Sequence, residues 1–218
     1  MQTCFSQWIA VFLLAFAGVL PSAHARDSLT AGEDYRVIAP PVSTDTPEKI
    51  EVIEFFSYAC PHCSELNPLV TSWASRLPSG VVLKRVPVSF NNPFYTIMAR
   101  FYYALEAIGE EGRLNAAIFD AIHNKNLRLV DEKSITEWVA SKNVDPKKFS
   151  DAFNAFGVDS RVKRAEQLRR DAKINGVPAF VVDGRYQVMS SASINGYGDF
   201  LKLTDKIIEK RAIERRKK

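Results

Sequence analysis

Two cysteines stand two residues apart in the run Cys60-Pro61-His62-Cys63, and they are the clearest chemistry in the sequence. Sulfurs at that spacing can close a disulfide and reopen it under thiolate attack, so the pair suits thiol–disulfide exchange. As a staple it is poor, because a disulfide stabilises more as it closes a longer loop, and this loop is almost nothing. A zinc site would need two further ligands, for which only His123 and carboxylates are at hand. Haem attachment requires a His after the second cysteine, and Ser64 stands there. An inert structural disulfide stays open on local sequence alone.

The elements around the pair decide which sulfur is a thiolate at neutral pH. Ile50 to Phe56 is β-branched and aromatic and predicts a central strand. After the short connection Ser57-Tyr58-Ala59, Pro61 and the apolar positions Leu66, Leu69, Val70, Trp73 and Leu77 predict a helix from about Cys60, stopped by Pro78-Ser79-Gly80. Cys60 then sits at a helix start, where unpaired N–H groups and the positive end of the helix dipole favour its thiolate. His62 adds an N–H donor or a positive charge beside the same sulfur. Both effects favour the reduced form and make the disulfide a strong oxidant. Cys63, one turn deeper, is expected to be buried and to re-form the disulfide when a mixed intermediate resolves. Val81 to Val88 reads as a second strand, and strand–helix–strand with short connections predicts a parallel pair.

Three further positions are candidates. Gly176-Val177-Pro178 opens a later strand. It is either a plain strand boundary or a cis Val177–Pro178 bond that lays backbone groups against the cysteines, with Val177 free to pair with an extended substrate chain. Glu54 shares a face of the central strand with Ile50, Val52 and Phe56, an unusual place for a carboxylate. It reads as a proton acceptor beneath Cys63 or as a Glu reaching water at the strand end. Lys84 and Arg85 on the neighbouring strand point to opposite faces, and either could pair with it.

Between Asn91 and about Ser160 the pattern is helical only. Phe94, Ile97, Met98, Phe101, Leu105 and Ile108 share one face ended by Gly109. Leu114, Ile118 and Ile122 form the next, and Ile135, Trp138 and Val139 a third. Asp145-Pro146 caps a fourth carrying Phe149, Phe153 and Phe156. A long helix from about Arg161 to Asn175 is expected to stop at Gly176. Ala179 to Val182 and Tyr186 to Met189, joined by Asp183-Gly184, predict an antiparallel hairpin, and a last helix carries Phe200, Leu201, Ile207 and Ile208. A short edge strand is expected at Tyr35 to Ile38.

The first 25 residues read as a cleaved signal peptide: an apolar run from Ile9 to Leu20, then Ala23-His24-Ala25 before Arg26. Its amino-terminal end lacks Lys and Arg, so a retained anchor is the alternative. Cleavage removes Cys4 and leaves Cys60 and Cys63 as the only cysteines, outside the cytoplasm. The net charge of +4 is carried by the tail from Glu209, which reads as a solvated helix end rather than a nucleic-acid or membrane site.

Phe55-Phe56-Ser57-Tyr58-Ala59-Cys60-Pro61-His62-Cys63 together with Gly176-Val177-Pro178-Ala179 resembles the active-site and cis-proline stretches of the bacterial disulfide-bond protein A (DsbA) family. The order of elements resembles that family over nearly the whole mature chain. The resemblance implies an α/β class, a thioredoxin-like fold with an inserted all-helical domain. Residues 26–90 and 160–218 would form the thioredoxin-like parts and 91–159 the insertion. It implies Cys60 as nucleophile, Pro61 and His62 as its motif neighbours with His62 stabilising, Cys63 as resolving cysteine and Pro178 as cis-proline. The buried acid falls on Glu54 and its basic partner on Arg85 or Lys84. Asn67-Pro68 departs from the acidic residues often found there, which leaves redox tuning open.

The same resemblance implies a periplasmic dithiol oxidase of exported proteins, reoxidised by a DsbB-type quinone-linked membrane partner, with no cofactor or metal beyond the redox disulfide. Only about 24 residues separate the expected cleavage point from Ile50, too few for the dimerisation domain of periplasmic isomerases, so a monomer is expected. A disulfide isomerase or reductase, or a non-catalytic peptide-binding chaperone on the same fold, are the rival readings.

Overall fold

The computed structural model describes residues 29–189 and 194–217; the predicted signal peptide lies outside them. A five-stranded sheet runs in the order β1-β5-β4-β2-β3, made of β1 (Tyr35–Val37), β2 (Ile50–Phe56), β3 (Val81–Pro87), β4 (Ala179–Val182) and β5 (Tyr186–Val188). β2 and β3 are parallel, as the strand–helix–strand pattern requires, and the other pairs are antiparallel. Every residue of β2 is buried, which is what an apolar strand covered on both faces should show. Asp183 and Gly184 both take left-handed backbone in the turn between β4 and β5.

One face of the sheet is covered by α1 (Pro61–Ala74) and α7 (Tyr197–Arg216), through Leu66, Val70, Trp73, Leu201 and Ile207 against Val52 and Phe180. The other face packs on the helical block: α2 (Pro93–Ile108), α3 (Glu111–Phe119), a π-helical turn (Asp120–Asn124), α4 (Glu132–Ala140), α5 (Pro146–Phe153) and α6 (Phe156–Asp171). Helix starts follow local rules. The Asn92, Asp131 and Asp145 side chains accept from first-turn N–H groups of α2, α4 and α5. Gly109 ends α2 in left-handed backbone.

Several expectations are corrected. The long helix begins at Phe156 and ends at Asp171, so a domain boundary between residues 159 and 160 passes through it. Its stop is Lys173, the left-handed residue, and not Gly176. The neighbouring carbonyls of Ala172 and Lys173 are taken up by the Arg36 guanidinium, a distant partner that substitutes for a glycine stop. Phe156 does not continue the Phe149–Phe153 stripe: it opens α6 and is 82% exposed. Leu69 also faces solvent. In the basic tail Arg216 and Lys217 are exposed, but Arg211 is buried on Asp183 and Arg215 donates to both Asp183 and the Pro47 carbonyl. That end of α7 thus ties down the β4–β5 turn. Among the described residues no helix is long and apolar enough to cross a membrane.

Candidate active site

Cys60 is the N-cap of α1, in extended backbone at the end of the Ser57-Tyr58-Ala59 connection. Pro61 occupies the first helical position, where a missing N–H costs nothing, so the first free N–H groups belong to His62 and Cys63. The Cys63 N–H donates to the Cys60 sulfur at 3.3 Å. On the opposite side the Cys60 thiol donates to the Val177 carbonyl at 3.4 Å, beside a Val177–Pro178 bond that is cis. The structure therefore brings Cys60, Pro61, Cys63, Val177 and Pro178 to one place. Both cysteines are thiols and both are buried.

Their environments push the two thiols apart. Cys60 is lowered from its ordinary value to about 6, chiefly by a hydrogen bond from the Cys63 thiol, against the opposing effect of burial. The backbone N–H groups of Cys63 and His62 add to the lowering, and the His62 ring contributes last. Cys63 is raised, first by burial, then by its hydrogen bond to Cys60 and the Cys60 charge. One sulfur is prepared to attack or leave and the other to hold its proton.

His62 is less intimate with Cys60 than the sequence suggests. Its imidazole is exposed, with Nδ1 3.1 Å from the Tyr197 hydroxyl and 3.4 Å from Glu65 Oε2. The Tyr197 hydroxyl also donates to Glu65 Oε2 at 3.0 Å, and burial with that bond pushes the phenol up to about 12. The Cys63 thiol first, and then the N–H groups of the helix start, stabilise the Cys60 thiolate more than the His62 ring does. Beside this cluster His62, Leu66, Pro178, Ile194, Tyr197 and Phe200 line a largely apolar groove that opens next to the cysteines.

Glu54 is buried, at 3% exposure, and does not reach water at the strand end. Arg85 is its partner, with Nε 3.0 Å from Glu54 Oε2. The parallel register sets the two residues directly opposite each other. Lys84 turns to the other face and pairs with Asp45. Burial raises the Glu54 carboxyl in spite of the Arg85 charge, and the charge of Glu54 in turn helps to raise Cys63.

Sequence reading missed four contributors. Glu65 lies one turn beyond His62 and could have been found from that spacing. Tyr197 and Glu111 arrive from distant elements. His123 projects from the π-helical turn, and its Nε2–H donates to the Tyr58 carbonyl at 2.8 Å, bracing the connection that leads into Cys60.

A family model described as the DSBA-like thioredoxin domain matches residues 51–202. The thiol:disulfide interchange protein DsbA of Bordetella pertussis is 44% identical over 208 residues, covering 95% of this chain and 97% of that protein. The protein of the same name from Bordetella parapertussis is 41% identical with the same coverage. The crystal structure of Pseudomonas aeruginosa DsbA superposes with a TM-score of 0.82 at 32% identity, over 88% of this chain and 98% of that one.

Proposed function

The chain belongs to the DSBA-like thioredoxin domain family, and from that premise we propose that it donates the Cys60–Cys63 disulfide to exported proteins as a periplasmic thiol:disulfide oxidoreductase. It is an enzyme of disulfide interchange, and its substrates are exported proteins with free cysteines. The observation that carries the direction of transfer is the Cys60 sulfur at the first turn of α1, receiving the Cys63 N–H at 3.3 Å. A stabilised Cys60 thiolate favours the reduced enzyme and therefore favours giving the disulfide away.

A substrate thiolate attacks the Cys60 sulfur, the Cys60–Cys63 bond breaks, and Cys63 leaves as a thiolate that takes a proton. A second substrate thiolate then attacks the substrate sulfur of the mixed disulfide and releases Cys60. The Val177 backbone, set beside the sulfur, is available to an extended substrate segment as an added strand. The resulting dithiol is reoxidised by a membrane partner, which we take to be of the quinone-linked DsbB type. The disulfide is the sole redox centre, and the enzyme works as a monomer.

Equilibration with glutathione tests this reading. An oxidase poises at a potential well above thioredoxin's, toward the region of about −120 mV; a value near about −270 mV contradicts donation and favours a reductase. His62→Pro makes the disulfide harder to reduce. The shift is modest, because the backbone N–H of Cys63 remains in place.

A further inference from the structure

Ser57, Tyr58, Ala59 and Cys60 form a tight turn between β2 and α1, closed by the Cys60 N–H on the Ser57 carbonyl at 3.1 Å. Tyr58 and Ala59 are its central residues, and the peptide between them has two settings. In one, both residues keep negative φ. In the other the peptide is turned over and Ala59 must adopt positive φ, which its Cβ disfavours. Neither residue takes left-handed backbone here, so the turn is in the first setting. A range of tilt is still open to the peptide, and the tilt fixes how the chain enters Cys60.

Both ends of that central peptide are held. Its N–H, on Ala59, donates to Ser57 Oγ at 3.2 Å. Its carbonyl, on Tyr58, accepts from His123 Nε2 at 2.8 Å, across 65 residues of chain. His123 gets there because Asp120–Asn124 winds as a π-helical turn, closed by the Lys125 N–H on the Asp120 carbonyl at 3.0 Å. A five-residue step adds one residue to the turn and re-aims the side chains that follow α3. Phe119 steadies both partners. Its ring lies 28° from parallel to the His123 ring and edge-on to the buried Tyr58 ring, with 5.1 Å between the Phe119 and Tyr58 centroids. Tyr58 is thus fixed by side chain and carbonyl from the same helix end.

The cap position of Cys60 depends on this entry. Its thiolate is served by the Cys63 thiol and by the N–H groups of Cys63 and His62, contacts that need the sulfur over the first turn of α1. The titratable groups that face the sulfur are His62 and Cys63 on α1, Tyr95 on α2 and Tyr197 on α7. His123 meets the backbone two residues earlier, so its contribution reaches Cys60 through geometry.

We propose that His123 is a positioning residue for the thiol–disulfide exchange: its N–H on the Tyr58 carbonyl sets the central peptide of the turn and so holds Cys60 where the start of α1 stabilises its thiolate. The inference rests on the oxidoreductase reading, and it ties the poise of the disulfide to the helical block. Without that donor the Tyr58 carbonyl is left unpaired, and the peptide tilts to find another partner. The tilt carries the Cys60 sulfur away from the Cys63 N–H. The reduced enzyme then loses part of its thiolate stabilisation, and the disulfide is given away less readily.

Two substitutions separate the donor from the ring. His123→Phe keeps a ring on Phe119 and removes the N–H; His123→Gln removes the ring and keeps an N–H at similar reach. In the reduced protein His123→Phe raises the Cys60 titration midpoint, read from thiolate absorbance, by about one pH unit. Its equilibrium with glutathione at about pH 8 moves about tenfold toward the protein disulfide, which is about 30 mV. His123→Gln stays within about 0.3 pH unit of the wild type. His123→Leu, smaller than Phe, repeats the rise should the Phe variant fail to fold. A folded Phe or Leu variant with an unchanged midpoint overturns the proposal. A Gln variant shifted as far as the Phe variant overturns it too, because ring packing then carries the effect. The wild type decides the functional reading separately: a potential near about −270 mV sinks that reading, while the midpoints still decide the role of His123.

Discussion

Two groups of ionisable side chains flank the cysteine pair, built from similar parts and set in opposite surroundings. His62, Glu65 and Tyr197 form a hydrogen-bonded ring at the surface, with His62 and Glu65 side chains 70% and 61% exposed. Glu54, Arg85 and Glu111 form the other, under Cys63, between the sheet and the helical block. Water screens the first group, and exposed pairs of that kind contribute at most about 1 kcal/mol. The second group has little water to fall back on, so removing one member leaves a charge with nowhere to go. Position in the fold, more than residue type, therefore decides which group can govern a proton.

The largest expected effect comes from breaking the buried group at its centre. Arg85→Met is predicted to destabilise the protein by about 3 kcal/mol at neutral pH, read from urea unfolding. The sign of its pH dependence follows from the raised carboxyl of Glu54. Folding of the variant must take up a proton at Glu54 once the unfolded side chain has ionised, so the loss grows as pH rises above about 4 and disappears below it. A pH-independent loss would mean that Arg85 acts by packing alone. At the surface, Glu65→Gln and Tyr197→Phe should each change stability by no more than about 0.5 kcal/mol. Their effect on the Cys60 titration should stay below about half a pH unit, since the ring of His62 is the least of the influences on that sulfur. A larger shift would erase the contrast between the two groups.

How much of this is legible in the sequence depends on distance along the chain. The helix start at Cys60 is local: a β-rich run, three linking residues and Pro61 announce it, and the structure has Cys60 as the N-cap. The hairpin turn at Asp183-Gly184 and the caps at Asn92 and Asp145 are of the same kind. Glu54 is visible as a carboxylate in an apolar strand, but the choice of Arg85 over Lys84 waits on strand register. Gly176 looked like the stop of α6 because glycine favours left-handed backbone; Lys173 takes that role because Arg36, far away in sequence, satisfies the helix end. His123 and Tyr197 lie 65 and 135 residues from Tyr58 and His62, Glu111 reaches Arg85 from a different element, and no local rule connects them. What local physics misses is the polar seam between the two parts of the molecule.

The most direct test is the pH dependence of alkylation of the reduced protein by iodoacetamide, followed at each cysteine by mass. Cys60 should react with a midpoint at about 6 while Cys63, raised by burial, stays unmodified. With that lowered value the reduced fold is favoured by its thiolate above the ordinary thiol range and loses the benefit as pH falls through about 6. A Cys60 midpoint near its ordinary value of 9.0, or alkylation of Cys63 first, contradicts a helix start that holds the thiolate ready to leave.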